Sequence, residues 1–321
     1  MTDYTIGIDI GGTNLRLALI AADGSIIARR RLSSLIAEGR DAFCGRLLLG
    51  IEELRRDAEF LNVDIAGIGV GIPGLVGSDG VIHSSVNMRP LDGFNLATFL
   101  TVKTGLKVAS ANDANAIAVG EQLYGAGRGL SSFMVVTIGT GLGSGLILDG
   151  MLWKGAGGFA AEFGHVTVNP DGDLCPCGNR GCLERYVSAD ALQRFIVRAF
   201  PGESDRYRML TAEELARMAR GGDRAAADAF NHMGKWFGIA LASLSNLLNL
   251  EAVIIGGGVG ASLDLFEQAT RDELSKRCFP EIGADFKILK GSLGDDAGLF
   301  GASVLACNRT GTPRRHDWLK P

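Results

Sequence analysis

One local pattern occurs twice in the sequence and constrains the fold more than any other feature. Ile10-Gly11-Gly12-Thr13 follows the strand-like segment YTIGIDI, and Ile138-Gly139-Thr140-Gly141 occurs within FMVVTIGTGLGSGLILDG. Each copy continues through a second strand-like run to an Asp-Gly pair, which is a strong hairpin signal. A repeat of this length predicts two structurally similar halves.

Strand-like and helical segments alternate along the rest of the chain. Apolar residues at helical spacing predict a helix over Arg40–Asn62, and another over Asn112–Tyr124 follows the strand-like segment Leu106–Ser110. Further helices are expected near Ala191–Phe200 and Ala225–Asn249. This alternation predicts an α/β fold whose halves each begin with an antiparallel hairpin.

Composition excludes several classes of protein. The 321 residues carry 32 Lys+Arg against 36 Asp+Glu, so the chain lacks the basic surface typical of proteins that bind nucleic acid or membranes. No apolar run reaches the roughly 18 residues of a membrane span, and a strand-like segment near Met1 leaves no room for a signal peptide. We therefore expect a cytoplasmic protein. In that reducing compartment, its six cysteines favour a metal site or buried thiols over disulfides.

A histidine and three cysteines lie close together in GHVTVNPDGDLCPCGNRGC. The four candidate metal ligands are His165, Cys175, Cys177 and Cys182. Three thiolates and an imidazole form a tetrahedral set suited to Zn²⁺, with no position left for water, so the ion is predicted to be structural. A redox pair is the alternative, although C-x-C differs from the usual C-x-x-C. Gly178 and Gly181 would allow the short loop to fold around the ion.

The glycine turns are candidates for binding phosphate, because backbone N–H groups can converge on an anion there. Their residues are Gly11, Gly12, Thr13, Gly139, Thr140 and Gly141. Asp9, before the first turn, is a candidate partner for Mg²⁺, which prefers oxygen ligands. Tight hairpins and turn-initiating aspartates are the alternative readings. A third loop, Gly256-x-Gly258-x-x-Ala261, follows a strand and is predicted to be a nucleotide loop of a different kind from the dinucleotide fingerprint.

Carboxylates in two places are candidates for chemistry or substrate binding. Asn112 and Asp113 follow a strand and open a helix, and either residue can cap that helix. If Asn112 is the cap, the carboxylate of Asp113 can accept a proton from a substrate hydroxyl. Glu162 and Glu184 flank the cysteine cluster and can accept hydrogen bonds from a polar ligand, or can be solvated charges.

Seven motifs, in order along nearly the whole chain, resemble the ROK (repressor, ORF, kinase) sugar kinases, especially their bacterial glucokinases. These motifs are DIGGTN, GIPG, NDANAIAVGE, IGTGLGSGLI, AEFGHV, CPCGNRGCLERYVS and IIGGGV. The resemblance implies an actin-like ATPase fold, a duplicated ribonuclease H-like α/β architecture with two domains around a cleft. We assign residues 1–120 to the first domain, completed by a C-terminal helix at 296–310. Residues 121–295 form the second domain, with the zinc loop at 165–184.

The resemblance also implies transfer of phosphate from MgATP to a hexose. Asp113 would be the base acting on the sugar 6-hydroxyl, and Asp9 would help to place Mg²⁺. The implied sugar-contacting residues are Asn87, Asn112, Asp113, Glu162, His165 and Glu184, while Gly256, Gly257 and Gly258 would lie by the adenosine. His165 would serve twice, with one ring nitrogen on zinc and the other on the sugar. The cluster would thus hold the sugar ligands in place. Loss of the metal would weaken sugar binding more than ATP binding, because the loop with His165 and Glu184 would loosen while the glycine turns would be untouched.

Glucose is the acceptor that the resemblance favours, with glucose 6-phosphate as product. N-acetylmannosamine, N-acetylglucosamine, fructose, allose and mannose stay open, because Phe94 stands where many glucokinases have a tryptophan. A sugar-sensing protein without activity is the alternative of a different class. Repressors of the family carry an added N-terminal DNA-binding domain, for which the early first strand leaves no room. A homodimer or homotetramer is expected.

Overall fold

The computed structural model describes residues 4–85 and 88–307. Its strands are β1 (Tyr4–Ile10), β2 (Asn14–Ala21), β3 (Ile26–Ser33), β4 (Ile65–Ile72), β5 (Leu75–Val76), β6 (Ile82–Ser84), β7 (Val108–Asn112), β8 (Phe133–Ile138), β9 (Leu142–Leu148), β10 (Met151–Leu152), β11 (Ala252–Gly256) and β12 (Lys287–Lys290). Its helices are α1 (Arg40–Phe60), α2 (Leu96–Thr104), α3 (Asp113–Tyr124), α4 (Ala189–Ala199), α5 (Ser204–Tyr207), α6 (Ala212–Arg220), α7 (Arg224–Leu248), α8 (Gly257–Gly260), α9 (Glu267–Arg277), α10 (Pro280–Gly283) and α11 (Ala297–Ala306).

The two five-stranded sheets have the same strand order. In the first, β3-β2-β1-β4-β7, an antiparallel hairpin at one edge is followed by the parallel strands β1, β4 and β7. In the second, β10-β9-β8-β11-β12, strands β8, β11 and β12 are parallel. The predicted α/β fold and its internal repeat are therefore confirmed at the level of topology.

The chain divides into two compact units. The first comprises residues 1–132, 145–161 and 292–321, and the second comprises residues 133–144 and 162–291. The expected domain boundary at residue 120 stays a prediction. The expected helix at 296–310 is described as α11 as far as residue 306, and residues 308–321 lie outside the described residues.

In the first unit, alternate residues of each strand face opposite sides of the sheet. One side is filled by side chains such as Ile8 and Leu17, which are fully buried in the same core as Phe43 and Leu47 of α1. Removing this apolar surface from water is the main stabilising contribution to the unit.

On the other side of this sheet, glycines bring α11 into close contact with the strands. A Cβ at Gly7 would overlap the carbonyl of Leu299, and a Cβ at Gly69 would overlap that of Ala302. The Thr5 and Ser303 hydroxyls form a buried hydrogen bond of 2.6 Å across the same contact. The C-terminal helix is therefore packed backbone to backbone on β1 and β4.

In the second unit, the long helix α7 packs against α9 through glycines. A Cβ at Gly238 would overlap the carbonyl of Thr270, whose hydroxyl donates to the carbonyl of Gly234 at 3.2 Å. Fully buried Phe237 and Phe266 fill the surrounding core. Small residues thus set the spacing of the helices in both units.

Most predicted elements are present within two or three residues of their expected ends, but several helices were missed. The hairpin turn at Asp23-Gly24 is confirmed, with Gly24 at φ +90°. Neither α2 nor α6 was predicted. A capping box between Thr211 and Glu214 begins α6, and its Thr-x-x-Glu spacing is a sequence signal from which the helix could have been predicted. Among the described residues, no helix has the length and apolar character needed to cross a bilayer.

We expect Gly69→Ala to destabilise the first unit, because its methyl group would overlap the carbonyl of Ala302 in α11. Overpacking of this kind costs about 1–3 kcal/mol. Gly45→Ala is the matched control, since a Cβ at this exposed position of α1 meets no atom within 4 Å. Free energies of unfolding from urea titrations should fall for the first variant and stay level or rise for the second.

Candidate metal centre and phosphate-binding turns

Parallel pairing brings several candidate residues to one edge of the first sheet. Asp9 on β1 is in register with Gly71 on β4, and Ile72 is in register with Asn112 on β7. The first glycine turn therefore begins at the same edge at which α3 begins. Ligand sites of open α/β sheets form at such carboxyl ends of strands.

Asp9 is a buried carboxylate with a charged partner. A guanidinium nitrogen of Arg16, its cross-strand neighbour, lies 2.5 Å from a carboxylate oxygen of Asp9. Burial raises the pKa of Asp9, while the charge and hydrogen bond of Arg16 oppose the rise. Gly298, in the first turn of α11, leaves space for the carboxylate, because a Cβ there would lie 2.9 Å from Asp9 Cγ. Arg16 was not predicted from the sequence to be the partner of Asp9.

Hydrogen bonds from Gly11 and from Ser34 close the first glycine turn. The N–H of Gly11 donates to the carbonyl of Asn14 at 2.8 Å. The Ser34 hydroxyl donates to the carbonyl of Gly12 at 2.7 Å, and the Ser34 N–H donates to that of Thr13 at 2.9 Å. Gly12 and Thr13 are exposed at the tip. The turn is thus a preformed, accessible loop.

Asn112 is the residue that caps α3. Its side-chain oxygen accepts from the N–H of Asn115 at 3.1 Å, and its amide donates to the carbonyl of Gly74 at 3.0 Å. Asp113 is the first residue of the helix and is half-buried, and one of its carboxylate oxygens accepts from the N–H of Ala114 at 2.9 Å. The sequence left open whether Asn112 or Asp113 caps the helix, and in the structure Asn112 does.

In the second sheet, two glycine segments lie at the ends of adjacent parallel strands. Gly256 on β11 is in register with Thr137 on β8, which leads into the turn Gly139–Gly141. Gly257 has φ +83°, and a Cβ there would overlap the carbonyl of Ile138. The two predicted nucleotide segments are thus neighbours, and the second begins the short helix α8.

The second glycine turn is bonded to the segment that follows the cysteine cluster. A carboxylate oxygen of Glu184 accepts from the N–H of Leu142 at 2.8 Å, and the N–H of Ala189 donates to the carbonyl of Gly139 at 2.8 Å. The turn is therefore in direct contact with the segment that follows the cluster, and the expectation that loss of the metal affects sugar binding more than ATP binding stays a prediction. The contact joins residues 42 positions apart, which local sequence patterns do not reveal.

The four predicted metal ligands come together. Their ligand atoms all lie within 4.8 Å of one another. Cys175 Sγ is 3.8 Å from His165 Nδ1, and Cys177 Sγ is 3.6 Å from Cys182 Sγ. A tetrahedral site with Zn–S bonds of about 2.3 Å places its sulfur atoms about 3.8 Å apart. The donor set fits zinc in its chemistry and in its dimensions, so the cluster could hold this ion.

The electrostatics of the cluster also favour a cation. Burial raises the pKa of Cys182 to about 12, and the other two thiols add to the rise. Burial also raises the pKa of Cys175. Burial opposes ionisation of Cys177 as well, but hydrogen bonds from the N–H of Asn179 and from the neighbouring thiols lower its pKa overall. Three thiolates at this spacing therefore need a bound positive charge.

The loop that carries the cysteines folds through the two predicted glycines. Gly178 has φ +94° and its N–H donates to the carbonyl of Cys175 at 3.0 Å, which closes the turn between the first two cysteines and the third. Gly181 has φ +68°, and a Cβ there would overlap the carbonyl of Asn169. The side-chain amide of Asn179 donates to Cys182 Sγ at 3.4 Å.

Glu162, His165 and Glu184 form one electrostatically coupled group. Desolvation raises the pKa of Glu162, even though its side chain reaches solvent; His165 opposes this rise and Glu184 adds to it. Because His165 turns Nδ1 toward the cysteines, a second ligand of the imidazole would meet Nε2.

Asn87 is a predicted sugar ligand, and Phe94 bears on which sugar is preferred. Asn87 lies outside the described residues. Phe94, the residue that left the choice of sugar open, has its ring centroid 5.5 Å from that of Phe99 and lies under the guanidinium of Arg40.

Comparison with known proteins assigns the chain to a family. The sequence profile of the ROK family matches residues 5–309. The chain belongs to the ROK family. The glucokinase of Halalkalibacterium halodurans is 32% identical over 314 residues, covering 94% of this chain and 94% of that protein. The xylose repressor of Bacillus subtilis is 30% identical over 307 residues, covering 94% of this chain and 76% of the repressor.

A solved structure agrees with this assignment. The crystal structure of a ROK family glucokinase from Streptomyces griseus, in complex with glucose and AMPPNP, matches with a TM-score of 0.78 and 31% identity, covering 95% of this chain and 99% of that one. The predicted actin-like α/β fold is thereby confirmed. ROK membership and the glucokinase relatives support a sugar kinase, while the repressor shows that the family also contains proteins of another function.

We expect the purified protein to contain about one zinc ion per chain, as a closed Cys₃His site requires. Cys177→Ser should lose the metal, because a hydroxyl is a much poorer ligand than a thiolate. Cys44→Ser is the control, since Cys44 is a buried thiol in α1, outside the cluster, and this variant should keep its zinc. Elemental analysis of unchelated protein measures both, and a wild-type protein without zinc would contradict the assignment.

Proposed function

We propose that this ROK protein transfers the terminal phosphate of ATP to a hexose, and that the hexose is glucose, which becomes glucose 6-phosphate. The observation that carries the proposal is the arrangement at the start of α3. Asn112 takes the capping role, so the neighbouring half-buried carboxylate of Asp113 need not cap the helix and can serve as a base. The relative from Streptomyces griseus, solved with glucose and AMPPNP, supports both substrates.

Asp113 is the proposed general base. Its carboxylate accepts the proton of the sugar 6-hydroxyl while the hydroxyl oxygen bonds to the γ-phosphorus of ATP. The bond from that phosphorus to the bridging oxygen breaks, and ADP leaves. Phosphoryl transfer depends mainly on positioning and on charge stabilisation, so one aligned carboxylate is enough for the proton.

The glycine segments are proposed to hold the nucleotide. Gly12, Thr13, Thr140 and Gly141 would donate backbone N–H groups to the phosphates, while the N–H groups of Gly11 and Gly139 close the two turns. Gly256–Gly258 would lie by the adenosine. Asp9 is the proposed oxygen ligand for Mg²⁺, which supplies charge neutralisation when bound. Burial raises the pKa of Asp9, and the charge of Arg16 beside it opposes that rise and so favours the ionised form that a metal ligand needs.

The sugar is proposed to bind through acceptors that each match a hydroxyl group. These residues are Asn87, Asn112, Asp113, Glu162, His165 and Glu184. The carboxylates and the amide oxygens accept hydrogen bonds from hydroxyls, and the imidazole Nε2 of His165 is the nitrogen that would face the sugar. Zinc, when bound, would fix the orientation of that imidazole.

Asp113→Asn is expected to lower turnover by about 10²–10⁴-fold, the usual contribution of a general base. The amide oxygen can still accept from the N–H of Ala114, so the fold should be retained. Coupled assays of ADP release give kcat, and glucose affinity with the melting temperature serves as the control for folding. Near-normal turnover would remove Asp113 from the mechanism.

Glucose should exceed every other hexose in kcat/KM at saturating MgATP. An epimer that leaves a buried acceptor unpaired loses about 1–3 kcal/mol, or roughly ten- to a hundredfold. N-acetylmannosamine, N-acetylglucosamine, fructose, allose and mannose are the competitors to measure. If one of them exceeds glucose by about tenfold, the acceptor is wrong while the kinase assignment stands.

A sugar-responsive protein without kinase activity is the second candidate, favoured by the similarity to the xylose repressor of Bacillus subtilis. Such a protein would bind sugar and release no ADP. The turnover measurement on the wild-type chain therefore separates the two candidates.

A further inference from the structure

The second glycine turn is held at both ends by one short segment. On one side, the N–H of Leu142 donates to the carboxylate of Glu184 at 2.8 Å; on the other, the carbonyl of Gly139 accepts from the N–H of Ala189 at 2.8 Å. Ala189 is the first residue of α4, which Ser188 caps through the N–H of Ala191. All of these contacts lie within the second unit.

The close approach of Glu184 to the turn depends on glycine. A Cβ at position 141 would lie 2.6 Å from a carboxylate oxygen of Glu184, so only glycine admits the carboxylate at this position without a shift. Glu184 comes two residues after Cys182, which is fully buried in the metal cluster. The carboxylate of Glu184 therefore connects the segment that follows the cluster to the turn.

A hydrogen bond from a backbone N–H to an ionised carboxylate is among the stronger ones in proteins. This bond holds Leu142 and thereby the preceding turn, which the N–H of Gly139 closes on the carbonyl of Gly141 at 2.9 Å. The N–H groups of Thr140 and Gly141 are the ones that would face phosphate. A carboxylate so close to a proposed phosphate site is unfavourable as a bare charge. The hydrogen bond to the turn gives this carboxylate a structural role that accounts for its presence there.

We infer that Glu184 is a positioning residue for the nucleotide as well as a ligand for the sugar, so that the metal loop sets the geometry of both substrate sites. The inference rests on the proposed function, since it requires that the second glycine turn binds phosphate.

Glu184→Ala tests the inference through binding, without turnover. MgADP is titrated calorimetrically in the absence of sugar, and glucose in the absence of nucleotide. Loss of a hydrogen bond to a charged group corresponds to about tenfold or more in affinity, so both dissociation constants should rise by about that factor. Glu162→Ala is the matched control: it removes the other carboxylate of the coupled group and should weaken glucose binding alone.

Glu184→Gln separates the hydrogen bond from the charge. Its side-chain oxygen can still accept from the N–H of Leu142, so MgADP affinity should return to near the wild-type value. Zinc content and melting temperature are recorded for every variant. If Glu184→Ala does not fold, Glu184→Asp replaces it. The shorter side chain keeps the carboxylate but withdraws it from Leu142 by one methylene group, so the MgADP affinity of this variant should also fall.

The outcomes are distinct. Weaker MgADP binding in Glu184→Ala or Glu184→Asp, restored in Glu184→Gln and unchanged in Glu162→Ala, supports the inference. Unchanged MgADP affinity in the alanine or aspartate variant overturns it and leaves Glu184 as a sugar ligand only. A wild-type protein that binds no MgADP refutes the proposed function itself.

Discussion

Parallel pairing of β1, β4 and β7 is the constraint on which the first group of candidate residues depends. It aligns the end of β1 with the end of β4 and the start of α3, so that Asp9 and Asn112 lie at one edge of the sheet. Gly7 and Asp9 share the face of β1 that meets α11, while Ile8 fills the opposite face. A register slip of one residue would turn Asp9 into the apolar core and place an isoleucine against α11, so burial on both faces fixes the register. The second sheet repeats the same strand order, and its two glycine segments follow adjacent parallel strands for the same reason.

Features that depend on short spacing could be predicted from the sequence. The cysteine cluster is the clearest, because His165 and the three cysteines lie within one loop, and the positive φ angles of Gly178 and Gly181 agree with their predicted role in folding it. The internal repeat was also predictable, since each copy carries its strand, turn and strand within about 20 residues. Helix α6 could also have been predicted, because the Thr-x-x-Glu spacing of its capping box is visible in the sequence.

Features that depend on tertiary contacts could not be predicted in this way. Asn112 and Asp113 are both good capping residues, and only the backbone at the start of α3 decides that Asn112 caps the helix. The bond between Glu184 and Leu142 joins two motifs that had been interpreted separately, one for sugar and one for phosphate. The pairing of Asp9 with Arg16 required knowledge of the hairpin register. In each case both residues are present in the sequence, but the sequence does not show that they lie within hydrogen-bond distance of each other.

Kinases and repressors of the ROK family share one fold, so the fold alone does not decide what this chain does. Sugar recognition needs hydroxyl acceptors and a rigid loop, and a non-enzymatic sensor needs both as much as a kinase does. Phosphate transfer additionally needs a proton acceptor at the reacting hydroxyl and anion-binding turns for the donor. Asp113, at the first position of a helix that another residue caps, can bind the sugar in either kind of protein, but its role as a proton acceptor is one that only the transfer reaction requires. Sugar affinity therefore cannot distinguish the two functions, whereas the rate of ADP release with and without this carboxylate can.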